Sequence, residues 1–124
     1  MGKSFKDLTV WQRAIQLTVA IYKLTSEFPD AERFGLTNQM RRATVSIASN
    51  IAEGYGKSSR GEYLLFLGHA RGSCAEIETQ LVIERELGFG SQIRINSADS
   101  LMNEVGKMLV ALMKAVRLAK PLSA

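Results

Sequence analysis

The chain has 124 residues, 46% of them hydrophobic and 23% charged, with a formal charge of +4. That is the size and balance of one soluble domain able to bury a core without staples. Its single cysteine, Cys74, excludes an internal disulfide framework and a cysteine-cluster metal site, and the N-terminal stretch MGKSFKDLTV lacks the apolar run of a signal peptide.

The first pattern runs over about 8–28. Leu8, Trp11, Ile15, Thr18, Tyr22 and Thr25 recur at helical spacing, with Ala14, Ile21 and Phe28 beside them. Asp7 is an N-cap candidate, and Pro29 ends the helix by pushing the residue before it out of helical geometry. After the polar link PDAERFG, a second helix over about 36–54 takes Leu36, Met40, Ala43, Ile47, Ile51 and Gly54 as one face.

Ser59 with Glu62 three residues on has the spacing of a capping box, and opens a third helix over about 60–87. Its face is Tyr63, Phe66, Leu67, Ala70, Cys74, Ile77, Leu81 and Glu84, with Gly88 as the terminating glycine and Phe89 as its apolar contact. The segment FGSQIRIN alternates at Ile93 and Ile95 but has no partner strand, so it reads as a loop. Ser97 then caps a fourth helix over about 98–119, with Leu101, Val105, Met108, Leu112, Val116 and Ala119 as its face and Pro121 closing it. The whole reads as a single all-α domain over 1–124, an antiparallel up-down-up-down four-helix bundle. The longest apolar run, 63–67, is far too short to span a bilayer, so a cytoplasmic location with no membrane contact is expected.

Two features exceed what such a bundle needs. Ala43, Thr44, Ser46, Ala48, Ser49 and Ala52 make the second helix smooth, and Ala70, Gly72, Ser73, Cys74 and Ala75 match it on the third. Pairing these runs leaves Asn50 near the core face in need of partners. Glu53, Gln80, Arg42 and Arg71 are the candidates, and Asn50, Glu53 and Gln80 form the expected structural polar network. Apolar residues also fall outside the assigned stripes: Val10, Leu17, Val19 and Leu24; Leu64 and Leu65; Met102, Leu109, Val110, Met113 and Leu118. Exposed together they form a larger patch than a monomer carries, which points to a homo-oligomer of closed symmetry.

Signals for chemistry are mostly negative. GKS in GYGKSSRG echoes a phosphate loop, but the position of the first glycine is Ile51 and a helix, not a strand, precedes it. His69 is the only histidine, and it stands in no Glu-x-x-His relation to Glu62 or Glu76. Cys74 lies five residues on, about 140° around the helix, too far for a Cys-His pair. No catalytic constellation, metal site or cofactor is expected. The basic residues offer more: Arg41, Arg42, Lys57, Arg60 and Arg71 are candidate phosphate contacts, and Lys107, Lys114, Arg117 and Lys120 lie along the fourth helix. A solvated helix face with cations suited to the C-terminal dipole also explains the last group. Without an aromatic platform, binding through these cations is to backbone phosphate and weakly sequence-specific.

The segments FKDLTVWQRA (5–14), FGLTNQMRRATVSIASNIAEGYG (34–56), ARGSCAEIETQL (70–81) and GKMLVALMKAV (106–116) together resemble a bacterial four-helix-bundle family. That family was first noticed as reading frames within intervening sequences of 23S ribosomal RNA genes. It is also similar to the accessory variability determinant of diversity-generating retroelements. The resemblance implies a barrel-like homopentamer with a central channel and a basic surface. It suggests a non-catalytic protein associated with RNA or DNA or, as the alternative, an oligomeric adaptor for a protein partner such as a reverse transcriptase. Ala48 stands where many relatives have proline, which implies a straighter second helix here.

Overall fold

The computed structural model describes residues 3–119. Four helices carry the fold: α1 (Thr9–Thr25), α2 (Leu36–Tyr55), α3 (Arg60–Leu87) and α4 (Gln92–Leu118). Single 3₁₀ turns, Phe5–Asp7 and Asp30–Glu32, precede α1 and α2. There is no strand among the described residues. Nor is any helix among them long and apolar enough to cross a membrane. Lys120 and Pro121 lie outside the described residues.

Paired residues fix the register of each neighbouring pair as antiparallel. Thr18 meets Thr44 at 3.2 Å while Arg41 reaches back to Thr25 at 2.9 Å, joining α1 to α2. Ser73 bonds Ser46 at 3.0 Å on α3 and α2. Arg85 pairs with Asp99 across α3 and α4. Arg13 bonds Glu104 at 2.7 Å and Ser91 bonds Glu27 at 2.7 Å, closing α4 onto α1. The ring of neighbours α1–α2–α3–α4 is the up-down-up-down bundle.

α2 and α3 present the faces their spacing predicts. Met40, Ala43, Ile47, Ile51 and Gly54 are buried on α2, and Leu67, Ala70, Cys74, Ile77, Leu81 and Glu84 on α3. α2 runs without interruption through Ala48. Ser59 accepts the Glu62 N–H and caps α3. Gly88 ends it in the left-handed region, at φ 74°, where a Cβ costs energy. Phe89 then packs on Phe28 at 5.4 Å.

α1 and α4 are rotated from the expected stripes. In α1 the core residues are Val10, Ala14, Leu17, Ile21 and Leu24; Ile15 and Tyr22 lie on the surface. The expected stripe, 8/11/15/18/22/25, is real but lies along the α1–α2 boundary. It carries the indole and the phenol, whose polar atoms cost energy to bury, so the aliphatic stripe took most of the core; of the expected stripe Thr25 alone is buried, its hydroxyl donating to the Ile21 carbonyl at 2.7 Å. Asp7 is not the helix cap: it closes the preceding 3₁₀ turn by accepting the Ser4 N–H at 2.9 Å.

α4 begins at Gln92, so FGSQIRIN is not a loop: most of it is the first turn of the helix. Ser91, not Ser97, is the cap, accepting the Arg94 N–H. What reads as Ile93/Ile95 alternation is a helical step: Ile95 is buried and begins the series Ala98, Met102, Val105, Leu109, Met113, while Ile93 points to solvent. The stripe through Leu101, Met108 and Leu112 flanks that core, half-buried. Of the apolar residues outside the expected stripes, Val10, Leu17, Leu24, Met102, Leu109 and Met113 therefore fill the core, whereas Val19, Leu65, Val110 and Leu118 remain exposed.

The smooth α2–α3 contact is present but narrower than expected. Ala70, Ser73 and Cys74 face inward, whereas Gly72 and Ala75 face solvent. Asn50 finds its partners on its own helix, donating to the Ser46 carbonyl at 2.9 Å and hydroxyl at 3.0 Å. Asn50, Glu53 and Gln80 do not form one network: Glu53 is exposed and Gln80 donates only to Glu76, at 3.4 Å. The register puts Gln80 too far along α3 to meet Asn50.

Glu84 is the exception in the core. It is fully buried, and neither carboxyl oxygen has a hydrogen-bond partner. Burial pushes its pKa up to about 7, outweighing the pull of the neighbouring Arg85 cation. The folded chain thus holds this proton to about pH 7, while the unfolded chain releases it near 4.5. Stability should be greatest below the unfolded value and fall as pH rises through 7, by on the order of 3 kcal/mol. Urea midpoints at pH 5 and pH 8 should show this drop, and Glu84→Gln should remove it while stabilising the protein at pH 8.

Candidate nucleic-acid interface

The five arginines and lysines expected to contact phosphate do not form one patch. Arg41 is half-buried between α1 and α2. Its guanidinium donates to Thr25 Oγ1 at 2.9 Å and to the Tyr22 carbonyl at 3.4 Å, and lies 4.5 Å from the centre of the Tyr22 ring. It is tied to the end of α1 and also lines the cavity beside it. Arg42 is exposed beside it and lines a cavity of about 540 Å³ with Tyr22, Asn38 and Val45. Arg71 lies midway along the bundle, in a groove of about 590 Å³ between α3 and α4 that Glu78 and Lys107 also line.

Lys57 and Arg60 are at the opposite end from Arg41 and Arg42. The chain turns there between α2 and α3. Lys57 is exposed and extends over the Phe66 ring, 4.9 Å from its centre. Arg60 donates to the Ala119 carbonyl, capping α4 from a residue 59 positions away. That bond brings the last turns of α4, with Lys114 and Arg117, beside the α2–α3 turn. The 3₁₀ turn carrying Lys6 arrives at the same end, since Phe5 and Trp11 share a cavity with Ala48 and Ala52 near the end of α2.

This end therefore gathers Lys6, Lys57, Arg60, Lys114 and Arg117. Its acids are Asp7, Glu53 and Glu62, and two of them are engaged in capping: Asp7 at Ser4, and Glu62 accepting from the Ser59 hydroxyl at 3.2 Å. The salt bridges among the described residues lie elsewhere. Arg13–Glu104 is part-way along the bundle, and Arg85–Asp99 and Arg94–Glu27 are toward the other end. Salt bridges thus offset cations away from the α2–α3 turn, while at the turn the cations outnumber the acids and stand in water. Lys6 carries no sequence signal of its own, and Lys114 and Arg117 read equally well as dipole partners. The antiparallel packing of α3 on α4, with the Arg60–Ala119 contact at its end, and the docking of the first 3₁₀ turn on α2 bring them together.

Among the described residues no three His, Cys, Asp or Glu side chains cluster as metal ligands would. His69 is exposed on α3 and packs edge-on to Phe66, 5.7 Å between ring centres.

The family description "23S rRNA-intervening sequence protein" matches residues 6–111. A crystal structure from Bacteroides thetaiotaomicron, of a protein of unknown function from the S23 ribosomal protein family, is similar in fold. Its TM-score is 0.78 at 24% identity, covering 88% of this chain and 98% of that one. No curated protein matches the chain.

Cys74 sits on the core face of α3 and is 4% exposed. Burial, assisted by the negative charge of Glu78, pushes its thiol up to about 12, so almost no thiolate exists at neutral pH. Alkylation of the folded protein at pH 7.5 should be at least ~100-fold slower than of the urea-unfolded chain. Equal rates would show that this residue is open to solvent.

Proposed function

This chain belongs to the 23S rRNA-intervening sequence protein family, and from that premise we propose that it is a non-catalytic, homo-oligomeric protein that associates with RNA or DNA through phosphate contacts. The observation that carries this reading is the unpaired positive end formed by Lys57, Arg60, Lys114 and Arg117, with Lys6 beside them. Such an end attracts polyanions by releasing their condensed counterions, without reading bases. Cyclic assembly strengthens it. Rotation about one axis keeps equivalent points of every copy at the same height, so all the basic ends meet on one rim and their fields add. A homopentamer, the state the family resemblance implies, brings five such ends together.

The geometry narrows the candidate residues. Arg41 is committed to Thr25 and Tyr22, and Arg42 lies at the far end of α2. Lys57 and Arg117 are the better positions for contact, and Arg60 holds the site together through Ala119.

Filter-binding titrations with a structured RNA over a series of salt concentrations test this. Affinity should fall steeply with salt. The double variant Lys57→Gln, Arg117→Gln should lower the slope of log affinity against log salt by about 2 for each subunit engaged, close to one unit per lost contact. Arg42→Gln should leave the slope unchanged. No binding at low salt, or binding indifferent to salt, would overturn the reading. Recovery of a specific protein partner that survives nuclease treatment, without RNA affinity, would establish the adaptor role instead.

A further inference from the structure

Four aromatic rings gather at the basic end. Tyr55 closes α2, and Tyr63, Phe66 and His69 follow at three-residue steps on α3. In the sequence they form no platform; the turn between α2 and α3 sets them in one row along the seam of the two helices. Tyr55 meets Tyr63 edge-on with 6.2 Å between ring centres, and Phe66 meets His69 edge-on at 5.7 Å. Tyr63 and Phe66 both lie against Gly54, which joins the two pairs. Tyr55, Tyr63 and Phe66 are half-buried, and His69 is exposed. The Lys57 ammonium stands over the face of the Phe66 ring, 4.9 Å from its centre.

Packing explains the inner part of this row, where Tyr63 and Phe66 fill the seam that Gly54 leaves thin. It does not explain the outer part. His69 keeps its ring in water while resting on the edge of Phe66. Lys57 is exposed and belongs to none of the salt bridges among the described residues. The cover over the Phe66 face is thus a flexible side chain held by an exposed cation–π contact, which is of the weak kind. A ring face that opens this easily, beside free cations, is suited to an unpaired base.

The geometry points to a stacking site for an unpaired base of single-stranded RNA or DNA, made by the Phe66 face with His69 at its edge and Lys57 above it. This rests on the nucleic-acid reading above and narrows its ligand from any polyanion to a strand with free bases. The base enters between Lys57 and Phe66 and lies parallel to the phenyl ring, while Lys57 moves out to an adjoining phosphate. Tyr63 and Tyr55 continue the row toward the turn, where Arg60 lies. Stacking accepts every base, because each has a π face, so the site adds affinity without reading identity. A duplex keeps its base faces within its own stack and offers this site only phosphate. Charge alone ranks the two the other way, since duplex DNA releases about 0.9 counterion per phosphate contacted and a single strand about 0.7.

Fluorescence anisotropy on the full chain tests it by comparing, at one salt concentration, a labelled oligothymidine with a strand of the same length and charge from which every base is removed. The oligothymidine should bind at least about fivefold more tightly for each base stacked. It should also move the ring-proton NMR signals of His69, the one histidine of the chain, upfield, and the abasic strand should not. Phe66→Leu keeps an apolar side chain against Gly54; circular dichroism should show it folded, and it should bind the two strands alike. Thymidine monophosphate at equal base concentration should not displace the strand, since it lacks neighbouring phosphates. Displacement would assign the rings to a free nucleotide and overturn the strand site. No binding of either strand would overturn the phosphate reading and this site with it. Equal affinity for the two strands with the His69 signals unmoved would overturn the stacking site alone, as would a folded Phe66→Leu chain that keeps the preference.

Discussion

The bundle depends on how closely α2 and α3 approach. A Cβ at Gly54 would lie 2.9 Å from the Phe66 Cβ and 3.3 Å from the Tyr63 carbonyl, so only glycine fits there without moving backbone. Further along, Ser46 and Ser73 touch through their hydroxyls, and Ala43, Ala70 and Cys74 keep the contact thin. Small side chains at these points bring two long helices together and fix their register. The turn between them, with Lys57 and Arg60, is then held at one end. Arg60 ties the end of α4 to it through Ala119, and α1 closes the other side of α2 through Thr18 and Arg41.

That register also distributes the charge. Toward the Leu36 end of α2, arginines meet carboxylates: Arg85 with Asp99, and Arg94 with Glu27. At the other end the carboxylates are fewer and partly used as caps. A formal charge of +4 is modest, but the fold concentrates it. The two adjacent arginines divide between roles: Arg41 holds α1 to α2, and Arg42 stays exposed in the cavity they both line.

Legibility in the sequence followed how many apolar stripes a helix carries. α2 and α3 have one dominant stripe each, and most of it is buried, down to Gly54 and Glu84; Leu36, Tyr63 and Phe66 at the stripe ends are half-buried, and Thr37, Thr44, Ala48 and Gln80 are buried beside it. α1 and α4 have two adjacent stripes of comparable strength, and spacing alone does not say which faces in. The choice fell to the stripe without polar atoms in α1. In α4 it followed from the true start of the helix at Gln92, where the Ser91 cap is held by Glu27. The candidate site was less legible. Arg41, Arg42, Lys57, Arg60 and Arg71 are all conspicuous in the sequence, but the bundle sends them to different places. The charged end owes its composition to Lys114 and Arg117, set beside Arg60 by the packing of α4 on α3 and tied to it by a contact across 59 residues. Local pattern does not encode such a contact. Likewise Glu84 reads as a core position, but its lack of any partner is visible only once the surrounding helices are in place.

Equilibrium unfolding of Gly54→Ala probes the α2–α3 approach itself. Alanine favours a helix over glycine by about 1 kcal/mol, so without a close α2–α3 approach the substitution should stabilise the protein. A close approach requires the opposite: a net loss of about 1–3 kcal/mol, because the added methyl overpacks against Phe66 and Tyr63. Unchanged or increased stability would contradict it.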